Sequence, residues 1–133
     1  MIDYANEILT YIKEEIIQYH GDGVEVLSEH VDVPSKFPCV TVEETLNIPS
    51  HTDNGAQKYA SITYRVQVFS NNNVTGKRAE ARELFSTVAD AMYNKNLMQK
   101  TFIPTPSVYR SEIYQIEATF EAEIDKDGNI YRR

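Results

Sequence analysis

Strict alternation of apolar and polar residues from Ile113 to Ile124 restricts this chain to folds that contain a two-faced β-sheet. The apolar positions are Tyr114, Ile116, Ala118, Phe120, Ala122 and Ile124, and the polar positions between them are Gln115, Glu117, Thr119, Glu121 and Glu123. A period of two is typical of a strand with one buried and one solvated face. At roughly 3.3 Å per residue such a strand spans about 40 Å, twice the usual length.

A second alternating segment covers residues 58 to 70. Its apolar residues are Ala60, Ile62, Tyr64, Val66 and Val68, and Ser61, Thr63, Arg65 and Gln67 lie between them. Shorter strands are predicted at Val24–His30, Cys39–Leu46 and Asn96–Phe102. Asp125–Gly128 has the composition of a tight turn, so Ile130–Arg133 is predicted to pair back as a terminal strand.

Two segments have helical periodicity. Residues 3 to 20 place Tyr4, Ile8, Ile12, Ile16 and Tyr19 on one stripe. Asp3 is the predicted N-cap of this helix, and Gly21 is predicted to end it. A second helix is predicted from Gly76 to Asn94, with Thr75 as its N-cap and an apolar face made of Ala81, Leu84, Phe85, Val88 and Met92.

Three polar or proline-containing segments separate these elements. Pro34–Pro38 and Pro104–Pro106 are predicted to interrupt regular structure. Asn47–Gln57 is a polar stretch that contains Pro49, Asp53 and Gly55 and is predicted to be a long exposed loop between two strands, of the kind that often carries function.

These elements predict an α+β fold for residues 1–133 as a single domain. The expected architecture is a mostly antiparallel sheet flanked by two helices, in the order α-β-β-β-α-β-β. Both helices are expected to pack on the apolar sheet face formed by Ile62, Val66, Ile116 and Phe120. A chain of 133 residues is long enough to bury a sizeable core.

Composition excludes several classes of protein. There are 13 basic and 20 acidic residues, giving a net charge of −7, which disfavours general binding to nucleic acid. The single cysteine, Cys39, excludes an internal disulfide and any multi-cysteine metal site. The N-terminus has no secretory pattern, and no apolar run reaches the roughly 18 residues that a membrane helix needs. We expect a soluble, intracellular protein.

Motifs for nucleotide or metal binding are incomplete. Val74–Arg78 resembles part of a phosphate loop, but the required first glycine and the Ser or Thr after the lysine are absent. Asp125–Asn129 resembles the start of a calcium loop, but the chain ends before its last ligand. His30 and Asp32 are two candidate metal ligands without an evident third. We expect no metal site and no cofactor.

No catalytic residues are predicted, and the chain is not expected to be an enzyme. Cys39 follows a proline and begins a β-branched strand, which favours a buried structural thiol over a nucleophile. The acidic row on the polar side of the long strand lacks an apolar pocket that would raise a carboxyl pKa. Its members are Glu117, Glu121 and Glu123.

The basic residues form two small groups. Lys77, Arg78 and Arg82 lie at the start of the second helix, where positive charge opposes the helix dipole. Arg132 and Arg133 end the chain. Both groups fit ordinary solvated side chains, but they also fit surfaces that dock onto an acidic face of another copy.

Several of these segments together resemble a known family. They are Tyr64–Asn71, Gly76–Glu80, the helix with Leu84, Val88 and Asp90–Met92, and the ending that includes Ile113, Tyr114, Ala118–Ala122, Asp125 and Gly128. Their order is similar to that of the small minor capsid and tail-completion proteins of long-tailed bacteriophages and prophages. The greatest similarity is to the tail-terminator group, which includes the lambda terminator. The resemblance extends from about residue 3 to the end, and its motifs are structural.

The resemblance implies a non-enzymatic virion protein that forms a hexameric ring. Such a ring caps the finished tail tube and joins it to the head connector. The implied partners are other copies of the chain, the major tail-tube protein, the head–tail connector or stopper protein and, in a contractile tail, the sheath. Sequence-specific nucleic acid and membranes are not among them. The protein would lie in the tail or neck of the virion after assembly in the host bacterial cytoplasm.

Two alternatives stay open from the sequence. One is another connector or head-closure role in the same set of minor capsid proteins, and the other is a small ligand-binding α+β protein. For the terminator, loop position and charge suggest a subunit, tube or connector interface made of His51, Asp53, Asn54, Lys58, Lys77, Arg78, Arg82, Tyr131, Arg132 and Arg133. The carboxylates of Glu117, Glu121 and Glu123 are expected to face the lumen, where they would repel DNA.

Overall fold

The computed structural model describes residues 2–53, 56–74, 76–106 and 112–132, without the side chains at 51–53, 56–58, 105 and 106. Its elements are α1 (Ala5–His20), β1 (Glu25–Leu27), β2 (Cys39–Asp53), β3 (Ala56–Ser70), α2 (Lys77–Asn94), β4 (Met98–Pro106), β5 (Tyr114–Asp125) and β6 (Ile130–Arg132). This order confirms the predicted α+β class, and β6 is the predicted terminal strand.

The described strands form one sheet in the order β1-β2-β3-β5-β4, and β6 pairs with β5 beyond the end of β4. Only the β1–β2 pair is parallel. The two strands with the clearest alternation, β3 and β5, are neighbours at the centre of the sheet. Alternation therefore predicts the central strands best, because both have one face in the core.

The main core lies between one sheet face and both helices. In the register of β3 with β5, Ile62 faces Ala122, Tyr64 faces Phe120 and Val66 faces Ala118. The buried residues of both helices join this cluster, namely Ile8, Ile12, Ile16, Ala81, Leu84, Phe85, Val88, Ala91 and Met92. The prediction that both helices pack on this face is confirmed.

The predicted loop at Asn47–Gln57 is wrong. Residues 47–53 continue β2 and residues 56–57 begin β3, and the two strands pair as far as Asp53 and Ala56. Backbone pairing to β3 keeps this segment extended, with register shifts between Pro49 and His51 and between His51 and Thr52. The prediction failed because an edge strand that is open to solvent needs no apolar alternation.

The predicted break at Pro104–Pro106 is also wrong, since β4 runs through both prolines to its end. Pro104 pairs with Ile116, and Pro106 pairs with Tyr114. Because β4 is an edge strand, a residue that lacks a backbone N–H is tolerated where that group would point away from the sheet.

Element ends differ from the prediction in smaller ways. β1 has three residues rather than the span Val24–His30. The N-cap of α1 is Tyr4 rather than Asp3, although the Asp3 carboxylate accepts the Ala5 N–H at 3.2 Å. Gly21 follows α1 with a φ of 80°, as expected for a glycine that ends a helix. The predicted N-cap Thr75 lies outside the described residues.

Candidate assembly surface

The sheet face opposite the helices carries most of the polar side chains of the strands. We call it the open face, and its residues alternate with core residues along β2, β3 and β5: Thr41, Glu43, Leu46, Ile48, Ser61, Thr63, Arg65, Gln67, Glu117, Thr119, Glu121 and Glu123. The predicted acidic row therefore lies on the side of the sheet that neither α1 nor α2 covers. An antiparallel sheet tolerates this arrangement when its exposed side chains are polar.

One end of the open face is covered by residues 28–38, which we call the strap. The side-chain amide of the buried Gln67 donates to the carbonyl oxygen of Val31 at 3.1 Å. Its oxygen accepts the Val31 N–H at 3.2 Å and the Thr41 hydroxyl at 2.8 Å. The Glu43 carboxylate accepts the His30 N–H at 3.1 Å. The Gln67 side-chain amide therefore makes the same pair of hydrogen bonds to Val31 that a neighbouring strand would make, and these bonds hold the strap against the sheet.

A second apolar cluster lies beneath and beside the strap. Cys39, Phe69 and Ile113 are buried there, and Leu27, Val31 and Phe37 pack against them. Burial, together with the charge of Glu25, raises the pKa of the Cys39 thiol to about 12. The thiolate is therefore scarce at neutral pH, and the prediction of a buried structural cysteine is confirmed.

Arg65 links three neighbouring strands across the open face. Its guanidinium lies 2.7 Å from the Glu43 carboxylate on β2 and 3.9 Å from the Glu117 carboxylate on β5. All three side chains are about one-third exposed, so each ion pair contributes little to stability. The pairing matters more for the charge of the acidic row. The positive charge of Arg65 partly offsets the negative charge of Glu117, and the sequence did not predict this neighbour.

Beyond Arg65, two rows of side chains cross the uncovered end of the open face. One row is Leu46, Thr63, Glu121 and Met98, and the next is Ile48, Ser61, Glu123 and Tyr131. In both rows a glutamate lies near the centre, and an apolar side chain lies at the β2 edge. Leu46, Ile48 and Tyr131 are between 40% and 48% exposed. Leu46 and Ile48 are neighbours on this face, and exposed apolar side chains that are bordered by polar residues are typical of interaction surfaces.

The predicted basic residues lie in the helix layer or beside it. Lys77 and Arg78 begin α2, and the Arg82 guanidinium lies 5.4 Å from the centre of the Phe102 ring. Arg132, on β6, places its guanidinium 4.1 Å from the centre of the Tyr93 ring. The structure therefore does not bring the basic residues together with the acidic row.

Several of the predicted interface residues have side chains that the structure does not describe. His51 and Asp53 belong to β2 and Lys58 belongs to β3, but their side chains lie outside the described part of the chain, as do Asn54 and Arg133. Tyr131 is described: its hydroxyl donates to the Asp125 carboxylate at 3.1 Å, and its ring meets that of Tyr59 edge to face. The Asp125–Asn129 segment forms the predicted turn, in which Asp125 accepts the N–H groups of Asp127 and Asn129.

The described residues contain no group of three or more His, Cys, Asp or Glu side chains that could hold a metal ion. His30 and Asp32 approach to 3.3 Å at an exposed position in the strap. Within the described ranges, neither helix combines the length and apolarity required to cross a bilayer.

Sequence reasoning missed the strap, its hydrogen bonds to Gln67 and Glu43, and the ion pairs of Arg65. The sequence did contain a sign that something covers this end of the open face. Phe69 and Ile113 are apolar at positions where the alternation predicts polar residues. The partners of Arg65 had no such signal, since they depend on the order and register of three strands.

A buried hydroxyl lies on the other side of the sheet, beside the start of α1. Tyr64 is 1% exposed, and its hydroxyl oxygen has no hydrogen-bond partner among the described residues. Burial raises the pKa of this group, and the charges of Glu44, Asp3 and Glu7 raise it further. Burial also raises the pKa of Glu44, whose carboxylate accepts the Asn47 side-chain amide at 3.1 Å.

Tyr64→Phe is expected to increase the free energy of unfolding, because the change removes a buried polar atom that lacks a partner. Such an atom costs about 1–3 kcal/mol, which sets the largest expected gain. Urea unfolding at neutral pH measures the change, with the exposed Tyr19→Phe as the matched control. A loss of stability in Tyr64→Phe alone would show that the hydroxyl is hydrogen-bonded in solution.

The fold defines an α+β domain with two helices on one face of a mostly antiparallel sheet. No protein-family model matches the chain, and no curated protein matches it. Among solved structures, the chain is similar to one described as the structure of bacteriophage SPP1 gp17 protein. The two share 18% sequence identity over 87% of this chain and 88% of that one, with a TM-score of 0.41.

Proposed function

We propose that the chain is a structural virion protein, a tail terminator whose copies form a ring of six on the end of the tail tube. The observation that carries this proposal is the distribution of side chains across the uncovered end of the open face. Exposed apolar residues lie at its two lateral edges, Leu46 and Ile48 on β2 and Tyr131 on β6. Glu121 and Glu123 lie between them.

This distribution suits subunits that stand side by side in a closed ring. In a ring with rotational symmetry, each subunit meets the next through two different patches. The β2 edge of one copy would meet the β6 edge of its neighbour, so Leu46 and Ile48 would pack near Tyr131. Burial of these three side chains would contribute roughly 25 cal/mol for each Å² of apolar surface removed from water.

In such a ring the carboxylates at the centre of the sheet would face the lumen. Glu121 and Glu123 would repel the phosphates of DNA that passes through, whereas Glu117 would contribute less because Arg65 lies beside it. The predicted edge residues His51, Asp53 and Arg132 belong to the two strands that would meet at the interface. Lys77, Arg78 and Arg82 lie away from it and would contact the tail tube or the connector.

The ring is tested by the mass of the purified protein, measured by light scattering after size exclusion over a wide range of concentration. The wild-type chain is expected to reach a limit near six subunits, alone or on added tail-tube protein. Ile48→Asp is expected to remain monomeric, because it places a charge in the interface. Ile17→Asp is the matched control, since Ile17 is 47% exposed and Ile48 is 48% exposed.

Two outcomes would contradict the proposal. A wild-type chain that stays monomeric even with tail tubes present would exclude the ring and favour a connector or ligand-binding role. A ring that survives Ile48→Asp but not Ile17→Asp would place the interface on the helix layer instead of the sheet edges.

A further inference from the structure

A solvent-open groove lies between the two helices, on the side of the sheet opposite the open face. It has a volume of about 450 Å³ and is lined by Glu15, Tyr19, Thr87, Asp90, Tyr93 and Asn94. Tyr19 is 65% exposed and Tyr93 is 57% exposed. At the same junction, His20 Nε2 lies 2.7 Å from the Thr87 hydroxyl, so a hydrogen bond connects the end of α1 to the middle of α2.

We propose that this groove binds an arginine side chain from a segment of another protein. Its lining combines two exposed tyrosine rings with the carboxylates of Glu15 and Asp90, and it includes no lysine or arginine. A guanidinium satisfies both kinds of group, because its planar faces stack on aromatic rings while its N–H groups donate to carboxylates.

Contacts elsewhere in the helix layer support this assignment. The Arg132 guanidinium lies 4.1 Å from the centre of the Tyr93 ring, and the Lys95 ammonium lies 4.5 Å from the centre of the Tyr11 ring. Arg132 reaches Tyr93 from β6, whereas the groove lies between Tyr93 and α1. The Tyr93 ring therefore already binds one cation in the folded chain. For a second cation the groove provides the Tyr19 ring and the carboxylates of Glu15 and Asp90 as well.

The shape and charge of the groove favour a protein segment as the occupant. The groove is open to solvent rather than enclosed, so it suits a side chain presented from a neighbouring surface. Tyrosine and arginine are the residues most enriched among those that dominate binding energy at protein interfaces. The net charge of −7 further favours a basic partner over a second copy of this chain.

The test uses the full-length chain and a synthetic peptide, acetyl-Gly-Arg-Gly-Arg-Gly-amide. Binding is followed by NMR through the backbone amide shifts of Thr87 and Asn94 as peptide is added. Asp90→Asn and Tyr93→Leu are each expected to weaken binding about tenfold, which corresponds to roughly 1.4 kcal/mol. Glu29→Gln is the matched control, because it makes the same change in net charge at an exposed residue of the strap outside the groove.

Support for the proposal requires saturable binding of this peptide, no shift with the corresponding glutamate peptide and wild-type affinity in Glu29→Gln. Equal binding of the lysine peptide would overturn the assignment to arginine. Equal weakening by Glu29→Gln would show attraction by net charge alone and would overturn the site. Shifts of the same amides on raising the protein concentration without peptide would assign the groove to a second copy.

Discussion

Gln67→Ala is expected to make Cys39 react with a thiol reagent about 30 to 1,000 times faster than it does in the wild-type chain. The substitution removes three hydrogen bonds, two to the backbone of the half-buried Val31 and one to the buried Thr41 hydroxyl, which is left without this acceptor. We estimate the loss at about 2–4 kcal/mol, and each 1.4 kcal/mol is a factor of ten in the opening equilibrium of the strap. Reagent reaches the thiol when the strap opens.

The measurement is simple because Cys39 is the only cysteine in the chain. Modification by a chromogenic disulfide reagent is followed at neutral pH, under conditions where circular dichroism shows the sheet intact. Gln115→Ala is the control, since Gln115 lies opposite Phe69 but makes no described contact with the strap. If the reaction rate rose only as much as global unfolding did, the strap would not open separately from the rest of the fold.

Phe120→Ala is expected to cost about 3–5 kcal/mol of unfolding free energy, whereas Thr119→Ala should cost no more than about 1 kcal/mol. Phe120 is 1% exposed and lies opposite Tyr64 at the centre of the core, with the Phe85 ring 6.3 Å away. Thr119 points to the open face, where its hydroxyl lies 2.9 Å from that of Thr101. The expected fall in melting temperature for Phe120→Ala is about 10–20 °C.

Thermal unfolding of both variants at low protein concentration measures this difference between adjacent residues. Similar large losses in the two would mean that the open face is covered in solution. Repeating the comparison at high protein concentration shows whether a second copy covers the face, because a copy that binds there would stabilise the wild-type chain with the logarithm of its concentration.

Alternation predicted the two central strands, β3 and β5, because every second side chain of each strand is buried in the core. The same reasoning failed from Asn47 onward, where the part of β2 beyond its pairing with β1 lies at the edge of the sheet and includes exposed residues such as Ile48 and Pro49. It failed again at Pro104, since a proline signals a break in a central strand but is compatible with an outer one. Helical periodicity predicted α1 and α2 to within two residues at each end because both have a single apolar stripe.

The candidate surface was only partly accessible to sequence reasoning. The side of the sheet on which Glu117, Glu121 and Glu123 lie follows from the alternation alone. The ion pairs of Arg65 do not, because Glu43 and Glu117 become its neighbours only through the pairing of β2 and β5 with β3. The groove between the helices was missed as well, since Tyr19 and Tyr93 belong to separate segments whose packing angle the sequence does not encode in any local pattern.

Two exposed edges of the sheet are poorly suited to further pairing, namely β4 and the part of β2 beyond its pairing with β1. β4 carries Pro104 and Pro106, and β2 changes register three times along the length that β1 leaves unpaired. Irregular and proline-containing edges discourage the strand-to-strand growth that leads to fibrils. For the proposed tail terminator, such edges would let unassembled copies accumulate without forming fibrils. In the proposed ring, copies joined through side chains rather than through a continuous sheet would stop adding at the number that closes the ring.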